Sequence, residues 1–196
     1  IRQKALIDAP GAYEDILKLE GKKLTRGDRK TARGRDNVLR YIDDGEPVFK
    51  GLKVIEVASV LAGPSVGLFF AEHGAEVIKI ENKASKGDVT RSWKLPSESQ
   101  NTSTSAYFAS VNFGKQFLSL NLKDEGDLKR CYALIKEADL FIANFKHGSA
   151  EKLGLSFGQL KQINPQLIYG EINGFGTESD RVAYDLILQA ETGFMS

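Results

Sequence analysis

Four short stretches of this 196-residue sequence hold residue types that could bind a ligand or react with one. The first is SVLAGPS, residues 59–65. Backbone N–H groups that open a helix can receive a phosphate or a carbonyl oxygen. Pro64 suits a first helical turn, where its missing N–H costs nothing. No lysine or arginine stands here to fix a pyrophosphate by charge. Small Ala62 and Gly63 permit close approach by something bulky, although a tight turn alone explains the same residues. Ser65 is a poor nucleophile candidate, because GPSVG is not G-x-S-x-G and Ser65 lies inside the helix start.

The second stretch is ENKASKGDVTRSW, residues 81–93. Glu81 at a strand end resembles the acid that holds a ribose in dinucleotide folds. Lys79, Lys83, Lys86 and Arg91 surround it, and a site this basic suits a ligand with a phosphate outside the pyrophosphate, as in coenzyme A. Solvated surface lysines are the plainer explanation. The third stretch, NFKHG at 144–148, offers an aromatic ring to stack on a base, an amide to read its edge, and positive charge from Lys146 and His147. His147 reads as a surface residue sooner than as a catalyst. The fourth, NGFGTESDRVAYD at 173–185, leads into a helix whose first turn holds Asp185. There the helix dipole favours a carboxylate whether or not it takes part in chemistry. Cys131 is the single cysteine, so no intrachain disulfide forms, and its apolar setting (CYALI) reads as a small buried hydrophobe in a reducing compartment. One cysteine and two histidines make no zinc pattern, and no metal is expected.

The elements between these stretches must position them. Residues 53–58 (KVIEVA) form a short β-branched run, read as a buried strand. A helix follows, with Val66, Leu68, Phe69 and Phe70 apolar and Gly74 closing it. Further strands are expected at 76–80, 117–121, 140–143 and 167–172. Helices are expected at 124–138, at 156–164 with Ser156 as cap, and at 182–191, with a single helical turn at 149–153. Residues 87–116 read as a long polar loop, and loops of that length are usually functional. Strands alternating with helices predict an α/β fold, a Rossmann-like parallel sheet with helices on both faces. Ligands of such sheets bind in the loops after the carboxyl ends of the strands.

Lys plus Arg number 27 against 26 Asp plus Glu, a net charge of +1, which supplies no overall field for nucleic acid or an anionic membrane. Residues 1–50 carry 12 basic and 9 acidic side chains. Within them GKKLTRGDRKTARGR, residues 21–35, is too polar to bury a core and reads as a mobile basic arm or linker. It follows a possible short amphipathic helix in residues 1–20. The globular domain is expected from 48 to 196, with 1–47 an extension. The first residues show no signal peptide, no apolar run reaches membrane-spanning length, and a cytoplasmic location is expected. The sequence starts at Ile1, which reads as other than the natural start.

Taken in series, LKVIEVASVLAGPSVGLFFAEHGAEVIKIE, GDVTRSW, the N-x-GK-x-x-LSLNLK run at 112–123, ADLFIANFKHG, KLGL, INPQLIYGEINGFG and RVAYDLILQAETGFMS resemble the class III CoA-transferases (the CaiB/BaiF group). That group includes formyl-CoA transferase and carnitine CoA-transferase. The resemblance covers residues 49–196 in order and spacing. It implies transfer of coenzyme A between two carboxylic acids, a Rossmann-like domain that binds coenzyme A, and an interlocked homodimer. Family contacts with coenzyme A fall at Leu61, Ala62, Leu120, Lys123, Asn144, Phe145 and Lys152. The family's second, smaller domain is built from sequence that would follow Ser196, so the chain reads as the N-terminal half of a longer fold.

The chemistry implied is nucleophilic: an aspartate attacks the donor thioester and forms a mixed anhydride, and thiolate and acceptor acid then exchange on the enzyme. That aspartate lies in a later stretch of the family. Asp185 matches a supporting acidic position, so the 196 residues alone are expected to be inactive. Leu61 stands where formyl-CoA transferase has a glutamine and Asn82 where it has an arginine, which argues against formyl and oxalyl groups and for a more apolar carboxylate. Two alternatives share the fold. One is a module that binds coenzyme A without catalysis. The other is a racemase of the α-methylacyl-CoA type, disfavoured because Tyr184, with an ordinary pKa near ~10, replaces that group's histidine. An NAD-dependent enzyme is disfavoured by the missing G-x-G-x-x-G.

Overall fold

A computed structural model of the chain describes residues 47–176 and 179–195. The short helix expected in residues 1–20 and the basic arm at 21–35 lie outside the described residues. Five strands form one sheet: β1 (Lys53–Val57), β2 (Glu76–Asn82), β3 (Gln116–Leu120), β4 (Leu140–Ala143) and β5 (Ile168–Glu171). Their order is β3-β2-β1-β4-β5 and every pairing is parallel. Among the described residues six α-helices accompany them: α1 (Ala62–Glu72), α2 (Ala106–Asn112), α3 (Glu125–Lys136), α4 (Ser149–Lys152), α5 (Phe157–Ile163) and α6 (Asp185–Glu191), the last following β5.

The core lies on both faces of the sheet, as a parallel sheet requires. On one face Ile55, Val57, Ile80, Leu120 and Phe141 pack against Cys131 and Ile135 of α3 and Leu160 of α5. On the other, Val54, Val77 and Ile142 pack against Phe70 and Ala71 of α1 and against Phe49 and Leu52. Alternation along β1 places Glu56 on the α1 face beside Val54, and the register pairs Glu56 with Lys79 on β2.

Helix ends follow the local chemistry. Asp124 caps α3 by accepting from the Asp127 N–H at 2.9 Å, and Gln159 reaches back to the Ser156 N–H at 3.1 Å to start α5. Gly74, with φ of 94°, follows the end of α1 and turns the chain into β2.

Three expectations are corrected. Residues 87–116 are not one loop. They contain a short 3-10 turn (Val89–Ser92) and α2, whose Phe108, Val111 and Asn112 are buried. The Ser105 hydroxyl starts α2 by accepting from the Phe108 N–H at 2.9 Å. The last helix begins at Asp185, because residues 182–184 are extended or irregular before it. β2 runs two residues further than expected, to Asn82, since β3 pairs with it there.

Candidate functional site

The strand order changes direction at β1, with β2 on one side and β4 on the other. In such sheets the crevice outside the carboxyl ends of these strands receives the ligand. The loops from β1 and β4 meet there. A Cβ on Gly63 would overlap the Ala58 Cβ and lie 3.6 Å from the Cβ of Asn144. Gly63 is therefore small because α1 packs closely on the β1 exit, a correction to its reading as room for a ligand. Ala62 and Leu61 are exposed, Leu61 by 49%.

Leu61 precedes α1 and supplies no side-chain cap. Among the described residues the N–H groups of Leu61, Ala62 and Gly63 donate no hydrogen bond within the chain. An 11-residue helix thus presents unbonded amides at its positive end, a suitable receptor for an oxygen anion or a carbonyl. Val60 just before it has φ of 69°, unusual for a β-branched residue.

Behind this loop lies a buried charged quartet. The Lys79 ammonium donates to Glu56 Oε1 at 2.9 Å and to the Ala58 carbonyl at 2.6 Å, and stands 3.1 Å from Asp88 Oδ2. Lys115 donates to Glu56 Oε2 at 2.7 Å, to the Pro64 carbonyl at 2.7 Å and to Asn112 Oδ1 at 3.0 Å. Asp88 accepts from the Val60 N–H at 3.2 Å, and from the Thr90 N–H and hydroxyl at 3.0 and 2.8 Å. Glu56 and Lys79 have no solvent exposure. Burial by itself raises the Asp88 carboxyl; the Thr90 hydrogen bonds and the Lys79 charge outweigh it and hold the group below the usual aspartate value. Burial lowers the Lys115 ammonium from its ordinary value, against the pull of Glu56. Lys79, read from sequence as a surface cation, is thus a core residue. A signal for the quartet was present: one acid and one base, each inside a run of Val and Ile, in consecutive parallel strands.

Glu81 is also committed. Its carboxylate accepts two hydrogen bonds from Arg91, at 2.8 and 2.7 Å, and one from the Asp88 N–H at 2.9 Å. The Arg91 guanidinium lies 3.8 Å over the Phe108 ring. The likeness of Glu81 to a ribose-holding acid is therefore set aside: its oxygens are spent on the loop. Arg91 and Lys86 share with Lys94, Ser92, Gln100, Thr102 and Ser103 the wall of a cavity of about 580 Å³.

The other residues singled out from sequence lie at or after the carboxyl ends of strands. Leu120, the last residue of β3, has its side chain fully buried, so only its backbone faces the rim. Lys123 is exposed in the turn after it. Asn144 is exposed, but its amide donates to the Ile172 carbonyl at 2.8 Å and ties the β4 exit to the β5 exit. Phe145 is half-buried, packed on the core. Lys152 ends α4 and Asp185 opens α6, both exposed, with Asp185 Oδ2 accepting from Gln189 at 2.5 Å. Lys83, Lys86 and Lys146, also exposed, add positive charge after β2 and β4, whereas exposed Glu171, Asp180 and Asp185 make the stretch after β5 mainly acidic. The Cys131 thiol is buried and pushed up to about 12 by that burial, which removes it from chemistry. No group of three or more metal-ligating side chains occurs among the described residues.

Comparison with known proteins gives one result. Residues 49–196 match CoA-transferase family III. A succinate–glutarate CoA-transferase of Agrobacterium fabrum is 40% identical over 158 residues, which are 77% of this chain and 39% of that protein. An acetyl-CoA:oxalate CoA-transferase of Acetobacter aceti is 40% identical over 150 residues, 75% of this chain and 37% of that protein. Among solved structures, a CaiB/BaiF family protein from Brucella suis superposes with a TM-score of 0.71 at 40% identity, covering 77% of this chain and 40% of the other. The chain spans about two fifths of the length of these relatives. On the match that runs from residue 49 to residue 196, the chain belongs to CoA-transferase family III.

Proposed function

We propose that this chain supplies the coenzyme A cradle of an enzyme that transfers coenzyme A between carboxylic acids. The observation that carries the reading is the open, unbonded N-terminus of α1 at the sheet's reversal point, between the lysine-bearing exits of β2 and β4, in a chain of this family. Leu61 and Ala62 would meet the thioester end of the ligand. Asn144 and Phe145 would flank its path, and Lys123 and Lys152 would face its phosphates. Leu120 contributes backbone only. Asp185 would support the site without being acylated.

The acyl groups belong to the same proposal. The relatives are named for succinate, glutarate and oxalate. Exposed Leu61 at the rim favours an acid with methylene carbons, such as succinate or glutarate, over oxalate or formate. The reading also takes residues 48–196 as the binding domain and 1–47 as an extension, and the working protein as a cytoplasmic homodimer. No position in the 196 residues matches the family's nucleophilic aspartate, so the chain alone is proposed to bind without exchanging.

Calorimetry with coenzyme A and exchange of labelled succinate with glutaryl-CoA test this together. Binding without exchange is the expected result. Absence of coenzyme A binding overturns the cradle, and exchange by the chain alone overturns the assignment of the nucleophile elsewhere.

A further inference from the structure

The quartet Glu56, Lys79, Asp88 and Lys115 lies behind the loop that leads from β1 into α1 and touches it at three backbone groups. Lys79 holds the Ala58 carbonyl at 2.6 Å, Asp88 the Val60 N–H at 3.2 Å and Lys115 the Pro64 carbonyl at 2.7 Å. Glu56 holds both ammonium groups, one on each carboxylate oxygen. Two positive and two negative charges are thus removed from water at one place, with no buried side-chain polar atom left without a partner among the described residues.

That is a costly arrangement for stability alone. Apolar residues of similar volume are often as good or better at such positions. Its geometry serves something apolar residues cannot do: it grips backbone polar groups. The group gripped by Asp88 belongs to Val60, whose φ of 69° a β-branched residue rarely adopts. The next three amides, of Leu61, Ala62 and Gly63, are the unbonded ones.

We infer that the buried quartet positions the β1–α1 loop for its ligand, holding Val60 left-handed so that the three following amides point outward. Asp88 is the decisive member. It comes from the loop after β2, so it couples that basic loop to the α1 N-terminus. All four are positioning residues: none is placed to touch a reacting atom. The consequence for coenzyme A rests on the function proposed above; the positioning of the loop does not.

Asp88→Asn is the informative change. The two Thr90 donors require an oxygen at Oδ1, so the new amide NH2 falls where Oδ2 now faces Lys79 and the Val60 N–H, and Val60 keeps only its longer contact with Oδ1, at 3.4 Å. An NH2 can accept from neither. In the full chain, NMR hydrogen exchange should show the Val60 amide protected in wild type. In Asp88→Asn its exchange should rise about tenfold or more, while Ile55 and Phe141 in the core keep their protection. Unchanged Val60 exchange overturns the inference.

Should Asp88→Asn unfold too readily for exchange measurements, a double-mutant cycle with Val60→Gly reads the same coupling. Glycine adopts this φ without strain. The loss in folding equilibrium caused by Asp88→Asn should therefore be about fivefold smaller in the Val60→Gly background, a size usual for coupled neighbours. Additive effects overturn the inference. Calorimetry adds the ligand. Coenzyme A should bind Asp88→Asn about tenfold more weakly than wild type, and equal affinity in a variant whose Val60 amide has been freed overturns the claim that the loop is positioned for this ligand. A wild-type chain that ignores coenzyme A while Val60 responds as stated defeats the proposed function and leaves the positioning role standing.

Discussion

Gly67 lies on α1 directly over the quartet. A Cβ there would overlap Oε2 of Glu56 and approach Lys115 Nζ to 3.1 Å. Two opposed effects decide what Gly67→Ala does. Alanine in a helix interior is favoured over glycine by about 1 kcal/mol. Overpacking a buried site costs roughly 1–3 kcal/mol, and separating a buried ion pair roughly 3–5 kcal/mol. The Glu56 carboxylate cannot swing aside without leaving a lysine, so the second effect wins. Gly67→Ala should lose about 2 kcal/mol or more in urea unfolding, and a stabilised variant would show that the carboxylate is not fixed. At this scale the sequence was legible where one residue carries its own rule. Cys131 reads as a small buried hydrophobe and is one. Gly74 reads as a helix stop and has the positive φ of one. Lys79 and Glu81 were misread because the partners that absorb them, Glu56 and Arg91, stand 23 and 10 residues away along the chain.

Among the elements, α2 depends most on one side chain. The Ser105 hydroxyl accepts from the Phe108 N–H at 2.9 Å and donates to the Thr90 carbonyl at 2.6 Å, with 1% of the residue exposed. It therefore caps α2 and ties it to the turn that carries Asp88. Ser105→Ala removes a cap, worth about 1 kcal/mol, and takes from the Thr90 carbonyl one of its two donors, the Trp93 N–H at 3.1 Å remaining, at about 1 kcal/mol more. The expected loss is about 2 kcal/mol. Ser156→Ala at the start of α5, where the cap is less buried, should lose about 1 kcal/mol or less. Equal losses in the two variants, measured by thermal unfolding, would deny α2 its tie to the turn. The same cap explains why α2 escaped the sequence reading. The helix has seven residues, AYFASVN, with aromatic and β-branched members and a run of Ser and Thr before it, and its apolar face is completed only by tertiary packing. Strands were easier. Four of the five are short β-branched or aromatic runs bounded by turn residues, and their alternation with longer helices was enough to predict the parallel sheet. Exact strand ends were not legible, because β2 is extended by its pairing with β3.

For the molecule as a whole, the quartet links folding to protons as well as to the loop. The Asp88 carboxyl titrates below the usual aspartate value in the folded chain, since the Thr90 hydrogen bonds and Lys79 outweigh its burial. A lowered folded value means that the unfolded chain binds the proton more readily. Stability from Asp88 is then complete above the unfolded aspartate value, near pH ~4, and is lost as pH falls through the folded value. Lys115 has the opposite sense: burial lowers its ammonium, so the fold disfavours that charge at neutral pH, and this cost lifts as pH rises through the folded value. Asp88 therefore predicts acid sensitivity, and Lys115 gives no cause for early alkaline loss. Denaturant midpoints for wild type and Asp88→Asn, taken from pH 7 down to about pH 2.5, separate this from general charge repulsion, which both proteins share. The gap between them should be widest near neutrality and should close below about pH 4, where wild-type Asp88 takes up the proton that the variant never needs. A gap that stays constant across the range would mean that the charge on Asp88 does not hold the loop, and the ties to Val60 and Lys79 would then be packing rather than electrostatics.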